Sequence, residues 1–334
     1  MRRALLAVLV LAAAVAAGCG EKTESRNGES APLTLALDFY VNPDHAGIYT
    51  ALDRGYFDEA GLEVEPRVPS DPSAPIRQVA AGRADLAISY EPEVVLARDQ
   101  GLPVVAVAAL VSRPLTSLIS LPDAGIARPS DLAGKTVATA GIPYQAAYLD
   151  AILERAQVDP GDVSQVAVGL NLLPAVLSGR ADAMLGGFLN IEGVDLAERG
   201  EHPRVVPVDR LGIPTYDELV LVADADRVAD DPEAIRLFIA ALERGTREAA
   251  RDPAAATQAI LDAGDGLDPK LTRAEVDRTL PLLLGDEPGK PFGYMNPREW
   301  EDFAGFFADQ SLISTRPGAS ELLTNELLPR KIPE

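Results

Sequence analysis

The sequence predicts an α/β fold of two lobes, each a mixed, mainly parallel sheet flanked by helices, with two chain crossings acting as a hinge. Three observations carry this. From Leu33 onward, strand-like and helix-like stretches alternate. The tetrapeptide Gly-Arg-Ala-Asp occurs at 82–85 and again at 179–182, 97 residues later. Both copies stand between a helix-like and a strand-like stretch, and two such units so far apart in 334 residues imply two sheets.

At the N-terminus, Arg2 and Arg3 precede the apolar run Ala4 to Ala17. That run is short of the roughly 20 residues a spanning helix needs and suits a secretory signal segment, expected to cover 1–18. It closes on Ala16, Ala17, Gly18 and Cys19, which looks like a bacterial lipobox, so Cys19 is the expected lipidation site. An ordinary signal peptide that ends near a cysteine is the alternative. Cys19 is also the single cysteine, so an intrachain disulfide is excluded. Residues 19–32 are polar, charged and aperiodic, as expected of a flexible tether; as a coil, the 13 residues Gly20 to Pro32 reach about 20 Å.

The elements then follow in order. Leu33 to Asp38 reads as a strand, and Ala46 to Arg54 as a helix stopped at Gly55. Leu62 to Val68 reads as a strand, a helix starts at Asp71 or Ser73 and runs to Ala81, and Gly82 stops it before the strand Ala84 to Ser89. In the second copy, the helix Leu172 to Ser178 is stopped by Gly179 ahead of the strand Ala181 to Gly186, preceded by a strand at Lys135 to Ala140 and a helix at Tyr144 to Ala156. Tyr216 to Ala223 returns as a strand to the first lobe. Beyond Asp230 the pattern is helical: Ile235, Phe238, Ile239 and Leu242 mark one apolar face, and further helices are expected at Pro253 to Ala263, Thr272 to Leu284 and Asn296 to Gln310. Lobe I is therefore expected over 33–114 plus 216–334, and lobe II over 115–215.

Composition excludes some function classes. Thirty Lys and Arg stand against 51 Asp and Glu, a formal charge of −21, so nucleic acid is not an expected partner. Two histidines and one cysteine, unclustered, argue against a metal site. Ligands of open α/β sheets gather beyond the carboxyl ends of the strands. This directs attention to Tyr90 and Glu91 after the first repeated strand, and to Phe188, Asn190 and Glu192 after the second.

Several long segments, among them LALDFYVNPDHAGIYTALDRGYFDEAGLEVE, ISYEPEVVLARDQGLPVVAVAALV, GGFLNIEGVDL and DRLGIPTYDELVLVA, resemble the binding proteins of ABC importers that capture pyrimidine precursors of thiamine. The likeness runs from about Leu33 to Ile313 and implies a periplasmic-binding-protein type 2 fold. The broader group includes sulfonate, nitrate and flavin binders and fungal enzymes that make the pyrimidine. The resemblance implies an extracytoplasmic lipoprotein on the outer face of the bacterial cytoplasmic membrane, monomeric and without a cofactor. It would trap a small nitrogenous heterocycle such as a formylaminopyrimidine and pass it to permease and ATPase subunits. The alternatives are a binder of riboflavin or a sulfonate, a sensor of the same fold, or a pyrimidine-synthesising enzyme. The fungal enzymes carry a cysteine-rich motif that a single cysteine cannot supply, so no catalytic residue is expected.

A flat polar heterocycle calls for aromatic faces with carboxylates, amides or hydroxyls at its edges. In the segments of resemblance the candidates are Asp38, Phe39, Asn42 and His45 after the first strand, Tyr90 and Glu91, Tyr144, then Phe188, Asn190 and Glu192, and Tyr216. Each has a plainer reading. Asp38 can be a solvated strand-end acid, His45 a brace at a helix entry, Glu192 a first-turn acid favoured by the helix dipole, and each tyrosine wall packing. Phe39 and Leu189 stand where the family often has Trp, which bears on the ligand, since one stacked ring is worth about 1–3 kcal/mol.

Overall fold

The computed structural model describes residues 30–285 and 289–329. The signal segment 1–18, Cys19 and most of the tether lie outside the described residues. Ten strands form two five-stranded sheets among those residues: β1 (Ala31–Ala36), β2 (Leu62–Arg67), β3 (Leu86–Ser89), β4 (Val104–Val111), β5 (Thr116–Ser120), β6 (Thr136–Thr139), β7 (Ser164–Ala167), β8 (Ala183–Phe188), β9 (Arg204–Pro207) and β10 (Leu219–Asp224). The first sheet has the order β2-β1-β3-β10-β4, the second β7-β6-β8-β5-β9. The two orders match, with a strand next to a crossing in fourth place each time. Because those strands, β10 and β5, run against both neighbours, each sheet has two parallel and two antiparallel pairings rather than a parallel majority.

β1 begins at Ala31, inside the stretch read as tether, where Ala31 and Pro32 pair only with Leu62 and Glu63 of β2. Pro32 costs nothing there, because β3 pairs with β1 only at Leu35 and Ala36 and no second ladder needs its missing N–H. β4, buried along its whole length, is a continuous apolar run with no alternation to mark it. The helix Pro232–Arg251 lays Ile235, Phe238, Ile239 and Leu242 against the first lobe, as its spacing predicts.

The repeated tetrapeptide performs the same task in both lobes. Gly82 and Gly179 end their helices at φ +64° and +70°, a left-handed turn open to glycine at no steric cost. The aspartate then ties down the neighbouring strand. Asp85 donates its backbone N–H to the Thr34 carbonyl at 3.0 Å and accepts the Thr34 N–H on Oδ2 at 2.6 Å. Asp182 does the same to Thr136, at 2.8 and 2.8 Å. Arg227 pairs with the first carboxylate and Lys135 with the second.

The chain crosses between lobes after β4 and returns before β10, and one carboxylate holds both crossings. Glu218 accepts the backbone N–H groups of Leu115 and Thr116 at 2.7 Å each, the Thr116 hydroxyl at 2.9 Å and the Tyr216 hydroxyl at 3.0 Å. Next to it, Asp217 donates its N–H to Glu91 Oε2 at 2.7 Å and accepts from the Trp300 indole at 2.6 Å.

Replacing either motif aspartate, Asp85→Ala or Asp182→Ala, removes a charge-assisted bond to a strand N–H. Each is expected to cost about 1–3 kcal/mol in urea-unfolding measurements, with two well-separated changes adding nearly independently.

Candidate functional site

The carboxyl ends of β1, β3, β6 and β8 converge from the two lobes on one cavity. Lobe I contributes Asp38, Phe39, Asn42 and Tyr90 to its wall. Lobe II contributes Tyr144, Gln145, Phe188 and Glu192, with Ala140, Ile142, Gly186 and Ile191 between them. The lobes are closed: the cavity measures about 20 Å³, room for roughly one water. A flat ring, about 3.5 Å thick by carbon contact distance, enters only when the lobes part by about that much. The Tyr90 ring of lobe I meets Tyr144 and Phe188 of lobe II edge-on, with centroids 6.1 and 6.4 Å away.

Asp38 follows β1 and is buried. It accepts the Tyr90 hydroxyl on Oδ2 at 2.8 Å, while Oδ1 faces His45 Nε2 at 2.9 Å. His45 Nδ1 takes the backbone N–H of Asn42, so Nε2 carries the proton and donates to Asp38. Two of the four acceptor directions of this carboxylate remain for something else. Asn42 lines the wall with a partly engaged side chain: it accepts the Asp44 N–H and donates one amide hydrogen to the Tyr40 carbonyl, capping the turn Pro43–His45.

Glu192 opens the helix Glu192–Glu198 and accepts the Phe188 N–H at 2.7 Å. Burial, more than any neighbour, pushes its carboxyl up to about 7, with Asp195 adding to the rise. Gln145, not anticipated from sequence, stands at the start of the helix Pro143–Arg155. Among the described residues no Lys, Arg or His lines this cavity.

Four residues expected at the ligand stand behind the wall instead. His45 is fully buried and braces Asp38. Glu91 is fully buried at the returning crossing, where it holds Asp217. Tyr216 is packed among Tyr148 and Phe303, with its hydroxyl on Glu218. Asn190 turns away from the cavity and joins the lobes: its amide donates to Asp44 Oδ1 at 2.7 Å and to Thr279 Oγ1 at 2.8 Å, both in lobe I.

That last contact leaves Asp44 Oδ2 and Asn190 Oδ1 buried without a donor. The Asp44 carboxyl is raised well above its usual range, chiefly by burial and then by Asp38, Glu192 and Glu218, against the lowering bond from Asn190. Glu275, on the lobe I helix Pro269–Leu283 that faces Asn190, is raised to about 8 by burial and by Asp195, Glu192 and Asp44. The cations on this seam are peripheral: Arg199 pairs with Asp195, and Lys270 with Glu198 at 2.8 Å. The closed seam between the lobes is therefore acidic and partly protonated.

A larger recess of about 540 Å³ lies beside the crossings, bordered by Arg210, Arg247, Arg278 and Lys290. Its arginines are exposed, its rim includes Gly285 and Lys290 flanking the undescribed residues 286–288, and no strand of either sheet delivers a buried polar side chain into it. The strand-end cavity is the better candidate despite its smaller closed volume.

Residues 42–256 match the family model described as NMT1/THI5 like. The chain is 35% identical to a formylaminopyrimidine-binding protein of Halalkalibacterium halodurans, over 89% of each chain. It is 26% identical to a 4-amino-5-hydroxymethyl-2-methylpyrimidine phosphate synthase of Legionella pneumophila, over 89% of this chain and 92% of that one. Among solved structures, the alkanesulfonate-binding protein of Xanthomonas axonopodis pv. citri bound to MOPS superposes with a TM-score of 0.70 at 15% identity, over 89% of this chain and 99% of that one. A Candida albicans gene product with the generic periplasmic binding protein fold does so at 0.64 and 14%, over 90% and 98%. At these identities the structural likeness speaks to the two-lobed fold alone.

The raised carboxyls fix a pH dependence. Glu93, Glu192 and Glu218 at about 7 and Glu275 at about 8 hold protons that the unfolded chain has already released, so their contribution is complete below the ordinary carboxyl range and is lost as pH rises through 7 to 8. The apparent Tm is expected to fall between pH 5.5 and 8.5. In Asp44→Asn, where a neutral amide replaces a buried carboxyl raised by its surroundings, the fall should be smaller in the same thermal scans.

Proposed function

The chain belongs to the NMT1/THI5-like family, and from that premise we propose that it is the substrate-binding component of an ABC importer for a pyrimidine precursor of thiamine, of the formylaminopyrimidine class. In this reading residues 1–18 direct export and Cys19 carries the lipid that holds a monomeric body at the outer face of the cytoplasmic membrane. The lobes close on the heterocycle and present it to permease and ATPase subunits.

The observation that carries the proposal is a closing cavity with aromatic faces, two carboxylates and no cationic side chain. Phe39, Tyr90, Tyr144 and Phe188 suit a flat ring, and Asp38 and Glu192 suit exocyclic N–H groups and ring nitrogens. Asp38 and Phe39 arrive from one lobe, Glu192 and Phe188 from the other, so a bound ring touches both only after closure, and that favours closing. A sulfonate fits poorly. It brings a permanent negative charge into a buried space already holding Asp38 and Glu192, where no Arg or Lys offsets the desolvation. Synthesis finds little support in His45, whose two ring nitrogens are already engaged by Asn42 and Asp38.

Titration calorimetry with a formylaminopyrimidine is expected to show one-to-one binding, and an alkanesulfonate no heat. Glu192→Ala should weaken the pyrimidine by about 10- to 100-fold in a protein that still unfolds in one cooperative transition. Sulfonate binding in preference to pyrimidine overturns the assignment, and an unaltered affinity removes Glu192 from the site.

A further inference from the structure

One polar group on the cavity wall has an assignable orientation and no part in the reading so far. Gln145 is buried, with 1% of its surface exposed, on the first turn of the helix Pro143–Arg155. Its Oε1 accepts the backbone N–H of Ala140, the residue after β6, at 2.8 Å. A flipped amide would set NH₂ against N–H, so the backbone fixes which end is which. The NH₂ end therefore points the other way, over Gly186 on β8. Gly186 sits at φ +116°, and a Cβ there would come within 2.3 Å of Gln145 Nε2. A bare backbone at 186 and an anchored carbonyl oxygen together hold the amide against the cavity, where one of its two hydrogens serves the Tyr144 oxygen and the other remains for a ligand.

Elsewhere on the wall the donors are largely engaged and the carboxylates chiefly accept. Asp38 accepts from His45 and Tyr90, Asn42 gives its oxygen and one of its two amide hydrogens to its own turn, and Glu192 holds the Phe188 N–H. We propose that Gln145, seated by Ala140 and Gly186, is a specificity-determining residue that selects ligands carrying a hydrogen-bond acceptor, a ring nitrogen or a carbonyl oxygen, on the edge turned toward lobe II. This rests on the binding-protein reading above and narrows its ligand class. Lobe I asks the ligand for a donor at Asp38, and lobe II asks for an acceptor at Gln145. An aminopyrimidine offers both on one flat frame. A simple ammonium offers donors alone, a sulfonate acceptors alone, and an aromatic amine without ring nitrogens lacks the acceptor.

The decisive variant is Gln145→Glu, which keeps the Ala140 bond through one oxygen and exchanges the donor for an acceptor of the same shape. Binding of 4-amino-5-hydroxymethyl-2-methylpyrimidine, measured by calorimetry, is expected to fall by about 10- to 100-fold at pH 8 relative to wild type. It should recover toward wild type at pH 5, where a protonated Glu regains a donor. Gln145→Leu should lose a similar factor with no such recovery, a contrast that a packing role for position 145 would not produce. A ligand-side comparison covers a variant that fails to fold: wild type should prefer the pyrimidine over its benzene analogue lacking both ring nitrogens by a similar factor, and Gln145→Leu should lose most of that preference. Equal affinities in wild type and both variants, or a wild type indifferent to the ring nitrogens, overturns the role of Gln145 while leaving pyrimidine binding intact. Failure of wild type to bind the pyrimidine at all overturns the functional reading itself, and this inference with it.

Discussion

A carboxylate removed from water must find donors or keep its proton, and that constraint shapes everything between the two lobes. Glu218 gathers two backbone N–H groups and two hydroxyls drawn from both crossings, and burial still lifts its carboxyl to about 7, so the hinge turns about one acid that those donors only partly offset. Asp38 meets it with Tyr90 and with an imidazole whose other nitrogen is tied to the Asn42 backbone. Asp44 and Glu275 are lifted toward the protonated form by burial, with the described cations of the seam paired at its periphery. These acids sit where the lobes touch, so the energy of closing and the chemistry of the cavity are set by the same groups.

That arrangement is not dictated by the fold. The backbone superposes on an alkanesulfonate-binding protein, yet in this chain the strand ends deliver carboxylates, aromatic rings and a fixed amide to the cavity. The scaffold decides that two lobes shut on something small, and the side chains just beyond four strands decide what.

Much of this was legible beforehand, for identifiable reasons. The repeated tetrapeptide marked one helix-turn-strand unit per lobe because glycine alone takes the left-handed turn without cost, and the rule of strand carboxyl ends directed attention to Tyr90, Phe188 and Glu192. The resemblance to a known family added Asp38 and Phe39. The bond from Asp85 and Asp182 to a neighbouring strand was not legible, because it depends on which strand lies alongside. Asn190 and Tyr216 share segments with wall residues but turn the other way, and a one-residue rotation along a turn leaves no trace in composition. Glu91 and His45 are polar groups whose burial becomes visible only with the returning crossing and the Asp38 loop in place. Gln145 was passed over beside a conspicuous tyrosine, and its meaning comes from Ala140 and Gly186, distant in sequence from each other.

The central claim is that the strand-end cavity, lined among the described residues by acids and aromatic rings and by no cation, closes on a flat heterocycle held from both lobes. A crystal structure of the protein grown with a formylaminopyrimidine tests it most directly. The account predicts the ring between Phe39 and Tyr90 on one side and Tyr144 and Phe188 on the other, its edge atoms within hydrogen-bond distance of Asp38 and Glu192. A ring lodged in the arginine-bordered recess by the crossings, or touching one lobe only, would contradict it.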